Sequence, residues 1–103
     1  MPVGDFFVYD NYSMFYTYIL QSLKSGRYYI GHTLDLGARL ERHQTGKVTA
    51  TKNKGPWKIV YSEEFNLKIE ANRRELEIKS KKSRIYIEKI ITASKIKAQN
   101  TSD

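Results

Sequence analysis

The order of patterned segments along this chain predicts a single small α/β domain with the element order β-β-α-β-α-α. Three observations carry that reading. Aromatic and β-branched residues crowd positions 14–20, 27–31 and 58–64. Helical stripes run through 35–44, 67–79 and the stretch after Ser83. A length of 103 residues leaves room for one domain only.

Residues 14–20, MFYTYIL, and 27–31, RYYIG, carry side chains suited to a pleated, half-buried surface. Ser25-Gly26 between them suits a tight hairpin turn. With a two-residue loop, Ser22 faces Tyr29. Strand side chains alternate with period two, so Tyr18 and Tyr29 then share one face. Residues 35–44 form a short helix ending near Gly46, a natural helix-stop glycine. Leu36 and Leu40 lie on its inward stripe; Arg39 and His43, also four apart, share a neighbouring face. Residues 45–57 are polar, basic and closed by Gly55-Pro56, and read as a loop. Residues 58–64, KIVYSEE, give the third strand. Asn66 is placed to cap a helix over 67–79, and Ser83 another whose stripe is Ile87, Ile90 and Ile91. Residues 1–13 show no period and read as a loosely docked N-terminal extension. The domain then spans 14–92, and 93–103 form a polar tail.

Composition narrows the function classes. Charged residues at 28% against 40% hydrophobic indicate a globular chain rather than a disordered one. No apolar run approaches the ~20 residues that span a bilayer, and the N-terminus lacks the pattern of a secretory signal. The absence of cysteine excludes disulfides and thiolate metal sites, and fits a cytoplasmic protein. Eighteen Lys and Arg against eleven Asp and Glu leave +7. A field of that sign attracts polyanions; charge alone leaves nucleic-acid binding and simple solubility side by side. A phosphate-binding glycine loop, a dinucleotide fingerprint and a nucleophile elbow are all missing.

Glu75 is the most informative single residue. Leu67, Ala71 and Ile78 mark an apolar stripe, and Glu75 lies between the last two at helical spacing, directed towards the core. A carboxylate there requires a cation, strong donors or a proton. An i,i+4 salt bridge to Lys79, or a rotated stripe that leaves it solvated, are the plainer readings. A tyrosine phenol accepts a proton if nearby cations lower its pKa, and an arginine stabilises charge on phosphate oxygens; packing and solvation remain the alternatives for both. His32 and His43 have no neighbours completing a familiar metal-ligand spacing, so proton transfer suits them better than ligation.

Together these residues resemble the GIY-YIG nuclease family. Tyr29-Ile30-Gly31 is the intact second half of its motif. Tyr16-Thr17-Tyr18 stands where the first half belongs, with only its tyrosine matching. Arg39 follows Tyr29 by ten residues, His43 lies one turn further on, and Glu75 with Ile78 and Lys79 matches the E-x-x-I-K helix. The segments VYSEEF and EIKSKKSR are similar to the small standalone branch, and the catalytic domain of the excinuclease is a more distant likeness. His32 stands where that domain often carries a lysine.

The resemblance implies a three-stranded antiparallel sheet flanked by helices. It also implies a metal-dependent DNA endonuclease, structure-selective or weakly sequence-selective, acting in repair or recombination. Glu75 would hold one Mg²⁺ or Mn²⁺. Tyr18 or Tyr29 would accept a proton while the other orients the phosphate, Arg39 would bind a non-bridging oxygen, and His32 or His43 would assist proton movement. Lys47, Lys52, Lys54, Lys81, Lys82 and Arg84 are the candidate backbone contacts, with DNA rather than RNA as partner and a second protein able to supply selectivity. The alternatives are a non-catalytic nucleic-acid-binding module and, behind it, a protein-interaction domain with an acidic partner.

Overall fold

The computed structural model describes residues 14–100. The expected N-terminal extension, residues 1–13, lies outside the described residues. Strand β1, Phe15–Ser22, pairs antiparallel with β2, Tyr28–Thr33, on one side and with β3, Trp57–Phe65, on the other, in the order β2-β1-β3. Helix α1, Leu36–Gln44, covers one face of this sheet, while α2, Lys68–Ser80, and α3, Arg84–Asn100, cover the opposite one. Among the described residues no helix is long and apolar enough to cross a membrane.

Strand β1 lies in the middle because its uninterrupted apolar centre needs cover on both faces. Thr17, Ile19 and Leu20 are fully inaccessible and Tyr18 nearly so. Ile19 joins Ile30, Ile78, Ile87 and Ile91 in the core under α2 and α3. On the other face Tyr18, Leu20 and Trp57 form a second core with Leu36, Leu40, Ile59 and Tyr29. A bulge in the β1–β3 pairing sets Ile19 opposite Tyr61 and Leu20 opposite Ile59. The extra residue, Val60, therefore joins Tyr61 on the α2–α3 side while Ile59 faces α1.

The β1–β2 connection is longer than the two-residue turn expected. Ser22 N–H donates to the Arg27 carbonyl at 2.8 Å, leaving Leu23–Lys24–Ser25–Gly26 as the loop, with Gly26 at φ +77°. Tyr29 consequently faces Leu20 rather than Ser22. The displacement is two residues, an even number, so Tyr18 and Tyr29 still share a face; their ring centroids lie 6.5 Å apart.

Asp35 caps α1 from outside, accepting the Ala38 N–H at 3.0 Å. The other end closes as the sequence indicates, with Gly46 at φ +77°. Its N–H donates to the His43 carbonyl and that of Lys47 to the Arg42 carbonyl. Asn66 does not cap α2; Leu67 occupies that position without a side-chain bond and is exposed, so it also leaves the inward stripe. Ser83 does cap α3, accepting the Tyr86 N–H at 3.1 Å. Helix α3 continues to Asn100, through most of the segment expected as a polar tail. The expected loop contains one short 3-10 turn, Thr49–Thr51.

Gly31 faces Tyr18 across β1 and β2, and the phenol ring lies directly over it. A Cβ at position 31 would stand 2.6 Å from Tyr18 Oη and 2.7 Å from Cζ, both inside contact distance. Gly31→Ala is therefore expected to tilt the ring off its seat and to cost about 1–3 kcal/mol, the usual range for overpacking. Urea unfolding followed by the emission of the single tryptophan, Trp57, measures it; an unchanged midpoint would mean that the ring moves freely.

Candidate active site

Alternation along the strands brings Tyr18 from β1 and Tyr29 from β2 under α1, where Arg39 and His43 descend on successive turns. His43 is buried at 2% exposure between the two phenols, its ring 5.9 Å from that of Tyr18 and 4.9 Å from that of Tyr29, edge-on to both. Both imidazole nitrogens are engaged: Nε2 lies 3.0 Å from Tyr18 Oη and Nδ1 2.8 Å from Thr51 Oγ1. The Thr51 hydroxyl donates onward to the Val48 carbonyl at 3.4 Å, so it accepts from Nδ1–H. That assigns the tautomer with Nε2 as acceptor for the Tyr18 O–H. Tyr18, His43 and Thr51 thus form one directed chain of hydrogen bonds.

Burial sets the protonation states of this chain. Desolvation pushes the Tyr18 phenol up to about 12; the field of Tyr29 adds to this, and the Arg39 guanidinium beside it pulls the other way. Desolvation also lowers the His43 imidazole, helped by the charges of Arg39 and Arg42. Near neutrality both groups are uncharged. The phenol is then the donor and the imidazole the acceptor of the bond between them.

His32 and Glu75 occupy the other face. His32 Nδ1 lies 2.6 Å from Glu75 Oε1, and Lys79 Nζ closes on Oε2. The inward stripe and the Lys79 pair were competing readings of Glu75, and both are realised: its side chain is 12% exposed and ion-paired. Each group has a member on β2, Tyr29 on one face and His32 on the other, and β2 has no strand beyond it among the described residues. A hollow of about 600 Å³ there is lined by both His32 and Arg39, with Arg42 and Lys68 adding positive charge. The Glu75 carboxylate is close enough to contribute to the raised Tyr18 pKa. Among the described residues no three or more His, Asp or Glu side chains form a metal-binding group; the carboxylate lining the hollow is that of Asp35, the α1 cap, while Glu75, Tyr18, Tyr29 and His43 do not line it.

The six candidate backbone contacts fall into two sets. Lys47, Lys52 and Lys54 are exposed on the loop after α1, where the Lys54 ammonium donates to the Ala50 carbonyl at 3.1 Å. Lys81, Lys82 and Arg84 lie at the α2–α3 junction. Arg84 stacks 4.7 Å from the Tyr28 ring centroid, donates to the Gly26 carbonyl at 3.2 Å and pairs with Glu88, while Lys81 lies 5.6 Å from the Tyr86 ring. Neither set lines the hollow that holds His32 and Arg39.

Thr51 was not anticipated, since nothing in the polar stretch 45–57 distinguishes one hydroxyl from another. The cluster around Arg74 was also missed. Its Nε donates to Glu63 at 3.0 Å, and NH1 donates to Glu77 at 2.9 Å and to Tyr86 Oη at 3.3 Å. This cluster ties β3 to α2 and α3 away from the site.

A family model described as the GIY-YIG catalytic domain matches residues 14–92. The chain is 40% identical over 65 residues to UPF0213 protein BH0048 of Halalkalibacterium halodurans, covering 62% of this chain and 68% of that one. It is 43% identical over 67 residues to UPF0213 protein SAG0778 of Streptococcus agalactiae, covering 64% and 75% respectively. The solution NMR structure of the UPF0213 protein BH0048 from Bacillus halodurans superposes with a TM-score of 0.50 at 34% identity, over 78% of this chain and 84% of that one.

The Tyr18 environment has a stability consequence whose sign is fixed. Its phenol holds its proton to about 12 in the fold against an ordinary 10.0. The contribution is fully present below pH 10 and is lost as pH rises towards 12. Wild-type protein is expected to lose thermal stability more steeply than Tyr18→Phe across that interval. Parallel melting profiles above pH 10 would show that the buried phenol is not what titrates.

Proposed function

Because this chain belongs to the GIY-YIG catalytic domain family, we propose that it is a metal-dependent endonuclease that hydrolyses phosphodiester bonds in DNA. The observation that carries the proposal is the directed bond from a buried phenol to a neutral imidazole beside a guanidinium. A phenol with a raised pKa is a poor base alone, but it serves if its own proton can leave as another arrives. Tyr18 Oη takes a proton from the attacking water while its hydroxyl proton passes to His43 Nε2. The water oxygen bonds to phosphorus and the bond to the 3′ oxygen breaks. Arg39 binds a non-bridging oxygen as charge gathers there. Tyr29, half-buried and so more open than Tyr18, orients the phosphate. Thr51 keeps the imidazole in the accepting tautomer.

The donor set fits a hard divalent cation such as Mg²⁺ or Mn²⁺, which is commonly held by one or two carboxylates together with water and substrate oxygens. Glu75 would hold it, and His32, hydrogen-bonded to the same carboxylate, would fix that side chain. When bound, the ion neutralises phosphate charge and stabilises the departing 3′ oxygen. Backbone contacts from lysine and arginine position a strand without reading its bases. The favoured activity is therefore structure-selective cutting of the kind used in repair or recombination, with a partner protein able to add selectivity.

One observation favours a second reading, a nucleic-acid-binding module without turnover: both Glu75 oxygens are already engaged, by His32 and Lys79. Metal-dependent nicking across flapped, branched, single-stranded and duplex DNA separates the two. Wild type is expected to cut, Glu75→Ala to lose cutting with its melting temperature unchanged, and Arg39→Gln to lose about 10²–10³-fold in kcat. Salt-sensitive binding without products on any of these substrates would leave only the second reading.

A further inference from the structure

A second hollow, of about 690 Å³, is lined by His43 but not by Arg39, Tyr18 or Tyr29. Lys24 borders it from the β1–β2 turn, Lys52 and Asn53 from the loop after α1, and His43 and Gln44 from α1 itself. No carboxylate lines it, and neither lysine ammonium has a bonding partner among the described residues.

Its walls are held in register by buried chemistry. The Ser22 hydroxyl, 2% exposed, accepts the N–H groups of Lys24 and Ser25 at 3.1 and 3.0 Å and donates to the Lys54 carbonyl at 2.7 Å. The Leu23 N–H adds a bond to the Pro56 carbonyl at 2.8 Å. Across the hollow, Gln44 clasps Trp57, donating to its carbonyl and accepting its N–H, both at 2.8 Å. The hairpin turn and the basic loop are therefore one pinned unit, and the backbones that carry two unpaired cations are held on it.

We propose that this hollow is a phosphate subsite that binds the nucleic-acid backbone beside the scissile position, with Lys24 and Lys52 as its charges. This rests on the reading of Tyr18, Tyr29 and Arg39 as the hydrolytic site. His43, buried between the two phenols, also lines this hollow, so the hydrolytic residues and the two lysines lie on either side of one side chain. The site takes a phosphodiester of any base identity, and it sets how far the substrate must extend past the cut. Ser22 is a positioning residue in it.

The test is binding of a fluorescein-labelled single-stranded oligonucleotide to the full chain across a salt series, read by anisotropy in a Glu75→Gln background. Removing two phosphate contacts should lower the slope of log affinity against log salt by about 1.4. Lys24→Gln/Lys52→Gln is expected to show that loss, while the control pair Lys89→Gln/Lys95→Gln on α3 is not. Ser22→Ala, which keeps every charge, is expected to weaken binding through misplacement of the turn. Equal slopes in the two double variants, or a slope unchanged by Lys24→Gln/Lys52→Gln, would overturn the subsite. The readout needs no turnover, so a protein that fails to cut DNA sinks the nuclease reading without deciding this one. A protein that cuts DNA with an unchanged slope sinks only the subsite.

Discussion

Everything in this fold follows from a central strand with no exposed face. Because β1 is covered on both sides, its alternation decides which residues belong to which helix. Thr17 and Ile19 go to α2 and α3, Tyr18 and Leu20 to α1. Thr17 even commits its hydroxyl to this arrangement, donating to the Ala71 carbonyl of α2 at 2.7 Å from full burial. A shift of one residue in β1 would exchange the two cores and send Tyr18 to the wrong helix. The phenol is thus placed by the hydrophobic pattern of its neighbours, and its hydrogen bond to His43 is a consequence.

That dependence explains what could be read from the chain and what could not. Period-two and period-3.6 patterns are local, so the element order, the shared face of Tyr18 and Tyr29 and the inward lean of Glu75 were all legible. Loop length is not periodic. The turn through Leu23 and Gly26 is two residues longer than Ser25-Gly26 suggests, and only the even difference preserved the inference about faces. Thr51 was invisible for the same reason: its partner depends on how a patternless loop returns across α1. The cap of α2 failed because Asn66 has the right chemistry one position too early, and Leu67 takes the site for lack of alternatives in the chain geometry.

The two faces of the sheet are electrically unlike. Under α1 the buried polar groups are neutral, because desolvation holds a proton on Tyr18 and keeps one off His43. Under α2 and α3 the polar groups are ionic. Arg74 is burdened by burial, yet bonds to Tyr86, Glu77, Tyr61 and Glu63 hold its proton above the ordinary range. Burial, together with the bond to the same Glu63, raises the Tyr61 phenol. Neutral groups that each find a hydrogen-bond partner tolerate burial, and an ionic cluster suits holding elements in place.

Glu75 belongs to neither pattern, and its pairing explains why one carboxylate can sit quietly in an otherwise apolar stripe. Left alone at 12% exposure it would carry a desolvation penalty, so its two oxygens have separate partners. The partners differ in tenure. His32 is on a strand, less exposed than Lys79 and fixed by its neighbours in β2; Lys79 is 46% exposed on a flexible stem. Lys79 therefore holds Oε2 less firmly than His32 holds Oε1. A side chain paired in this asymmetric way is satisfied on both oxygens while one of them keeps a solvent-facing partner, and that is what lets a carboxylate stand beside Ala71 and Ile78.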